Sequence, residues 1–262
     1  MSHRIIGCNP LIKYILVLAI FVCGCGEDEI FDYEPPPPVK PMGLSALEFP
    51  TKNGSQWTYI AKDTQERYTL SIDGVKDVNG FTNRRLKNSA RNAPTDFLSS
   101  NGWYFRFNGE YVLLPFPITT TYFVKTTDAY IENAFDVFIE ILSNEPIFQK
   151  HFPPRKLWEF PLQVGNQWTV FEKKTPPKVI DIRRVSSDKV KVTVPSGTYT
   201  DAYLIEEFIH IGENETISLD KPDSKYWIAP DVGLVKYEYT DYRTDPEGVK
   251  KVYELMKIII PE

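Results

Sequence analysis

Phe160-Pro161-Leu162-Gln163-Val164-Gly165-Asn166-Gln167-Trp168-Thr169-Val170 is the stretch on which the fold turns. Phe49-Pro50-Thr51-Lys52-Asn53-Gly54-Ser55-Gln56-Trp57-Thr58-Tyr59 repeats it 111 residues earlier, with six of eleven positions identical. Proline disfavours a helix ahead of it, glycine admits a backbone with positive φ, and Trp-Thr followed by an aromatic or β-branched residue opens a pleated run. Each copy therefore predicts a turn that feeds a strand with a tryptophan near its start. The strands between the copies are too few to close a domain with its own core, which favours one sheet holding both.

Working outward, Tyr68-Thr69-Leu70-Ser71-Ile72 is apolar at every second residue, and Asp73-Gly74 and Val78-Asn79-Gly80 read as turns. Trp103 to Phe107, Asn108-Gly109 and Tyr111 to Leu114 repeat this hairpin pattern. Past the second copy, Val179 to Ile182, Val190 to Val194, Tyr203 to Ile211, Lys225 to Ile228, Leu234 to Tyr239 and Val252 to Ile260 read as strands, with a turn at Pro195-Ser196-Gly197. In Tyr203 to Ile211, Glu207 shares a face with Tyr203, Ile205, Ile209 and Ile211, while Glu206 and His210 share the other with Leu204 and Phe208.

Residues 116 to 158 interrupt the alternation. Ile131, Phe135, Phe138 and Leu142 fall at helical spacing, opposite Glu132, Asp136 and Glu140, with Asp128 placed to cap and Asn144-Pro146 to stop. The spacing predicts an amphipathic helix over about 128–142. A strand through Val137, Ile139 and Ile141 competes with it.

Arg4 and Lys13 precede the apolar run Tyr14 to Val22, which ends in Cys23-Gly24-Cys25. This is the plan of a secretory signal, and the run is shorter than the roughly 20 residues that a membrane-spanning helix needs. Val22-Cys23-Gly24-Cys25 resembles the bacterial lipobox, which implies cleavage before Cys25 and acylation of its thiol and new amino group. An Asp directly after the Cys, which in bacterial lipoproteins signals retention in the inner membrane, is replaced here by Gly26, favouring the outer membrane. Residues 26 to 43 run acidic and proline-rich, with Pro35 to Pro38 consecutive. In polyproline II, at about 3.1 Å per residue, such a segment spans up to roughly 55 Å. The expected organisation is a signal peptide at 1–24, a lipidated tether at 25–43, and one β-rich domain at 44–262 with an insertion at about 116–158.

Pro161-Leu162-x-x-Gly165-Asn166-x-Trp168, Val194-Pro195-Ser196-Gly197-Thr198-Tyr199 and Tyr226-Trp227-x-Ala229-Pro230-x-Val232-Gly233-Leu234-Val235-Lys236 together resemble a pattern of uncharacterised bacterial envelope lipoproteins. The resemblance covers about residues 158 to 240 and implies a curved antiparallel sheet, a half-barrel like that of the periplasmic lipoprotein carriers, with no known activity. The fold expected is thus mainly β, a half-barrel with one helix. A closed β-barrel is the alternative, although both Trp copies read Gly-x-x-Trp where lipocalins carry Gly-x-Trp.

Composition narrows the chemistry. The 262 residues are 42% hydrophobic and 14% aromatic, enough for a sizeable core, and the formal charge of −5 disfavours nucleic acid as a partner. All three Cys lie at or before Cys25, so the body has neither a disulfide nor a Cys metal site. Its two His, His151 and His210, read as structural or surface residues, and no His-Glu-x-x-His, Gly-x-Ser-x-Gly or phosphate loop is present. Glu206 and Glu207, adjacent in a strand, point to opposite faces and cannot act together as two acids across a cleft. No catalytic residue, metal or cofactor is expected.

The aromatic residues remain. Trp57, Trp103, Trp168 and Trp227 read either as core residues or, with Phe135 and Phe138 from the expected helix as a lid, as the lining of a site for a hydrophobic ligand or lipid. The expected partners are the membrane, through acylated Cys25, and a hydrophobic ligand. The rival expectations are a docking subunit of an envelope protein complex and a hydrolase of glycans or lipids.

Overall fold

The two Trp copies fold alike. In the computed structural model, which describes residues 50–89, 103–107, 110–114, 118–137, 147–174, 178–212, 218–241 and 247–262, Trp57 lies near the start of strand β1 (Gln56–Ala61) and Trp168 near the start of β9 (Gln167–Lys173). Gly54 and Gly165 have φ of 89° and 91°, the left-handed conformation that the turn requires. Three backbone hydrogen bonds recur in both copies. Gly54 N–H donates to the Ile72 carbonyl (2.8 Å), Ile72 N–H to Ser55 (2.9 Å) and Ser55 N–H to Lys52 (3.1 Å). In the second copy Gly165 N–H donates to Val185, Val185 N–H to Asn166 and Asn166 N–H to Gln163, each at 2.9 Å.

From these two starts the chain builds two antiparallel meanders. The first comprises β1, β2 (Arg67–Val78), β3 (Phe81–Asn88), β6 (Ile118–Lys125), β7 (Ala129–Val137) and β8 (Ile147–Glu159). The second comprises β9, β10 (Lys178–Val194), β11 (Gly197–Gly212), β12 (Ser224–Ala229), β13 (Gly233–Asp241) and β14 (Val249–Ile259). They form one twelve-stranded sheet, in the order β8-β7-β6-β3-β2-β1-β14-β13-β12-β11-β10-β9, that curls into a nearly closed barrel. The hairpin β4 (Trp103–Phe107) and β5 (Glu110–Leu114) forms a two-stranded sheet of its own. All described residues belong to the unit Lys40–Glu262.

The sheet is zipped where its first and last strands meet, Trp57 opposite Ile258 and Ala61 opposite Tyr253. Its break lies in mid-chain. Among the described residues no ladder joins β8 to β9, although these strands are consecutive in sequence.

Aromatic side chains fill the interior. Tyr59 stacks on Tyr68 (5.2 Å between centroids), Tyr68 meets Tyr253 (5.3 Å), and Tyr237 stacks on Tyr226 (4.9 Å). Tyr226 on β12 meets Trp158 on β8 (5.5 Å), which in turn approaches Trp168 on β9 (6.2 Å). Contacts between β8 and β12 can only pass through the lumen, so the barrel is packed across its width. Each such ring contributes about 1.5–3 kcal/mol from burial alone.

Three expectations are corrected. The segment expected to be a helix over 128–142 is strand β7 over Ala129–Val137, paired with both β6 and β8; residues 138–142 lie outside the described residues. A β-bulge interrupts the alternation of β7 and puts Ile131 and Phe135, four residues apart, on opposite faces. Tyr122 faces Ala134 and Phe123 faces Glu132, so Asn133 is an extra residue that shifts the alternation. It is buried there, and its side-chain amide donates to Asn83 Oδ1 (2.7 Å). Asp73-Gly74 is not a turn; β2 runs through it with an irregularity between Ile72 and Val75, and the chain reverses at Asn79-Gly80. Val179 to Ile182 and Val190 to Val194 are one bent strand, β10, whose register shifts at Val185, Ser187 and Val190.

Candidate functional site at the seam of the barrel

Strand β10 turns Val179, Asp181, Arg183 and Val185 inward, as its alternating burial shows. Charged residues at two of these positions are unexpected in a core, and the first copy supplies the comparison. Trp57 sits opposite Leu70, and the equivalent Trp168 sits opposite Arg183. Where the first meander buries Leu70 and Tyr68, the second therefore buries Arg183 and Asp181.

Arg183 is fully enclosed, and all three of its nitrogens are used. Nε donates to Glu207 Oε1 (2.9 Å), Nη2 lies 2.7 Å from the same oxygen and donates to Tyr226 Oη (3.0 Å), and Nη1 donates to the Leu157 carbonyl (2.9 Å). Tyr226 Oη in turn donates to Glu207 Oε2 (2.9 Å). The guanidinium carbon lies 4.7 Å from the centre of the Trp158 ring and 4.5 Å from that of Tyr226. Burial works against its charge, but Tyr226, Glu207 and Asp181 outweigh this and hold the guanidinium more firmly protonated than usual.

The Leu157 carbonyl belongs to β8, and Trp168 Nε1 of β9 also donates to it (3.3 Å). The guanidinium of Arg155 on β8 lies 4.8 Å from the ring centre of Phe171 on β9. Phe171 pairs with Asp181 on β10, so Arg155, Phe171 and Asp181 form a row across the break. Side chains from β8, β9 and β10 thus close a seam that the backbone leaves open.

Asp181 is 3% exposed, and its Oδ1 has no hydrogen-bond partner among the described residues. Burial pushes its carboxyl well above the ordinary carboxylate range, Glu207 pushes it further, and Arg183 and Arg155 pull it back in part. Asp223 is also raised, chiefly by burial, although Ile209 N–H donates to its Oδ2 (2.8 Å). The seam therefore encloses more carboxyl groups than cations, and burial shifts Asp181 toward its protonated form.

The aromatic residues singled out in the sequence do not converge on one surface. Trp57 and Trp168 are buried in the shared core, and Trp57 Nε1 donates to the Val232 carbonyl (2.7 Å). Trp227 alternates with the inward Tyr226 and lies under Lys236 Nζ, 4.7 Å from its ring centre. Phe135 is buried on β7, between Thr121 on β6 and Gln149 on β8. Trp103 lies in β4, and Phe138 and Cys25 lie outside the described residues. Glu207 and Glu206 do face opposite ways: Glu206 pairs with Arg184 (2.9 Å) and Lys225 (3.5 Å) on the outer face. Glu207, which lacked a partner in the sequence, finds Arg183 twenty-four residues earlier. No group of three or more His, Cys, Asp or Glu among the described residues is placed to hold a metal ion.

No protein-family model and no curated protein sequence matches this chain. Among solved structures, the chain is similar to a candidate exported protein with a YMCC-like fold from Bacteroides fragilis, with 10% identity over 80% of this chain and 98% of that one, TM-score 0.35. It is also similar to a candidate lipoprotein from Parabacteroides distasonis, with 14% identity over 83% of this chain and 99% of that one, TM-score 0.34. Likeness at this level assigns neither a ligand nor an activity.

Proposed function

We propose that this chain is an acylated lipoprotein of the bacterial envelope, held by Cys25 on its proline-rich tether, whose barrel is a non-catalytic binding module for a hydrophobic ligand taken up at the β8–β9 seam. The anchor rests on the lipobox-like Val22-Cys23-Gly24-Cys25, with Gly26 favouring the outer membrane. The seam carries the binding reading. Among the described residues it is the one place where neighbouring strands of the barrel lack a ladder, and Leu157, Trp158, Trp168 and Phe171 line it with apolar and aromatic side chains. Parting β8 from β9 costs side-chain contacts but no ladder of backbone hydrogen bonds.

Native mass spectrometry of the chain purified from the periplasm without detergent tests this reading. A co-purifying mass removed by organic extraction is the expected result. A ligand-free mass that persists after incubation with envelope lipid extract would sink the carrier reading and leave docking to an envelope protein. The separate, aromatic-rich hairpin β4–β5 favours that second reading, since two strands alone are marginally stable in water and gain from a partner surface.

A further inference from the structure

We propose that the ligand taken up at the seam carries an ammonium head group, and that Asp181 is the residue that receives it. This deepens the reading above and rests on it. Of the inward charges around the seam, Glu207 is matched by Arg183 at 2.7 Å. Arg155 has Glu132 as its ladder partner on β7. One carboxyl oxygen of Asp223 already accepts from Ile209 N–H. Asp181, turned inward from β10, is left enclosed with Oδ1 lacking a hydrogen-bond partner among the described residues. A buried carboxyl of this kind is costly to retain unless something completes it.

The surroundings select a cation over an anion. Glu207 and Asp223 reinforce the negative field at Asp181; Arg183 and Arg155 oppose it, but Arg183 is fully engaged by Glu207, Leu157 and Tyr226. An anionic head would add a further negative charge to an enclosure already rich in carboxyls. A primary ammonium supplies donors for the free Oδ1, and its tail continues over Phe171 and Trp168 along the seam. Phe171 is the ladder partner of Asp181, which places ring and carboxyl side by side. The exchange balances in protons: an ammonium enters with its three hydrogens, Asp181 receives it as a carboxylate, and whatever fraction of the carboxyl carried a proton gives that proton to solvent.

The test uses three probes with one tail, namely dodecylammonium, dodecanol and dodecanoate, below their micelle concentrations. Calorimetry is run on the chain from residue 25 to Glu262 with Cys25→Ser, so that neither acyl group nor detergent competes. Dodecylammonium is expected to bind at least tenfold more tightly than the other two and to release up to one proton, read as a heat that varies with the buffer's ionisation enthalpy. Asp181→Asn is expected to abolish both the preference and the proton release, while Asp223→Asn preserves them. Equal binding of all three probes, or a preference that survives Asp181→Asn, overturns the head-group assignment and leaves the hydrophobic-ligand reading standing. Absence of binding by any probe overturns both.

Discussion

Arg183→Leu places in the second meander the residue type that the first carries at Leu70, and its consequence follows from the bonds around Arg183. The substitution leaves the fully enclosed Glu207 without its cation and the Tyr226 hydroxyl without its donor, and leaves the Leu157 carbonyl with only the longer bond from Trp168 Nε1 (3.3 Å). Removing one member of a buried ion pair costs about 3–5 kcal/mol, mostly through the uncompensated charge that remains. With a urea dependence of about 2.5 kcal/mol per molar, the unfolding midpoint should fall by roughly 1.5 M. The triple variant Arg183→Leu, Glu207→Leu, Tyr226→Phe removes both orphaned partners, leaves the Leu157 carbonyl its bond from Trp168, and should return to within about 1–2 kcal/mol of the parent chain. Equilibrium urea unfolding followed by tryptophan fluorescence reads this directly, since Trp158 and Trp168 border the site. A loss below about 1 kcal/mol for Arg183→Leu would refute the enclosed, fully bonded arrangement. A triple variant no more stable than the single one would show that closing the seam at Leu157, and not charge compensation, is what Arg183 contributes.

Further outcomes follow from the same geometry. The raised carboxyl of Asp181 binds its proton more tightly folded than unfolded, so its contribution to stability is complete below about pH 3.8 and declines as pH rises through the folded value. Asp181→Asn should therefore stabilise the chain near neutrality and flatten that part of the stability–pH curve; an unchanged difference between variant and parent from pH 4 to 8 refutes the assignment. Gly165→Ala should cost about 1 kcal/mol for its positive φ alone, whereas Gly54→Ala should cost more, because its Cβ would approach Pro261 Cγ at 3.1 Å while that of Gly165 meets nothing within 4 Å. Thermal unfolding orders the two, and equal losses would argue against the contact with Pro261. Cys25→Ser should abolish metabolic labelling with palmitate and release the chain from the membrane fraction; retention in membranes would point to a different anchor.

Much of the fold was legible because it is written in period-two alternation and in the paired turns. Gly-x-x-Trp fixed two strand starts, and the structure repeats them down to three backbone hydrogen bonds. The Asn-Gly and Pro-Ser-Gly turns fell where the chain reverses. Strand β7 was illegible for a definite reason: a bulge inserts Asn133, and one extra residue breaks the period-two alternation by which a strand is read. The site was half legible. Alternation put Glu207 on the more apolar face of its strand, but nothing local announced Arg183 or Asp181, since Asp181-Ile182-Arg183-Arg184 reads as a polar stretch of an ordinary amphipathic strand. Their burial is imposed by β8 across the seam, a partner that ladder pairing alone does not reveal.

The duplicated frame gives this burial its meaning. Two meanders that begin with the same turn, the same glycine conformation and the same buried tryptophan impose the same environment on the residue across from that tryptophan. In the first, the environment is met by Leu70, at no electrostatic cost, beside a strand that zips onto β14. In the second, it is met by Arg183, beside a strand that meets its neighbour through side chains alone. Leucine satisfies the packing, so packing does not require the charges. Completing the seam through the Leu157 carbonyl accounts for Arg183, and neutralising Arg183 accounts for Glu207. Asp181 also supports the Arg183 charge, but that leaves its Oδ1 without a hydrogen-bond partner among the described residues, and its carboxyl works against the Glu207 charge beside it. Packing does not need this carboxyl, burial opposes its charge, and it lies one strand in from the break that the described residues leave between β8 and β9, which is where the proposed ammonium would meet it.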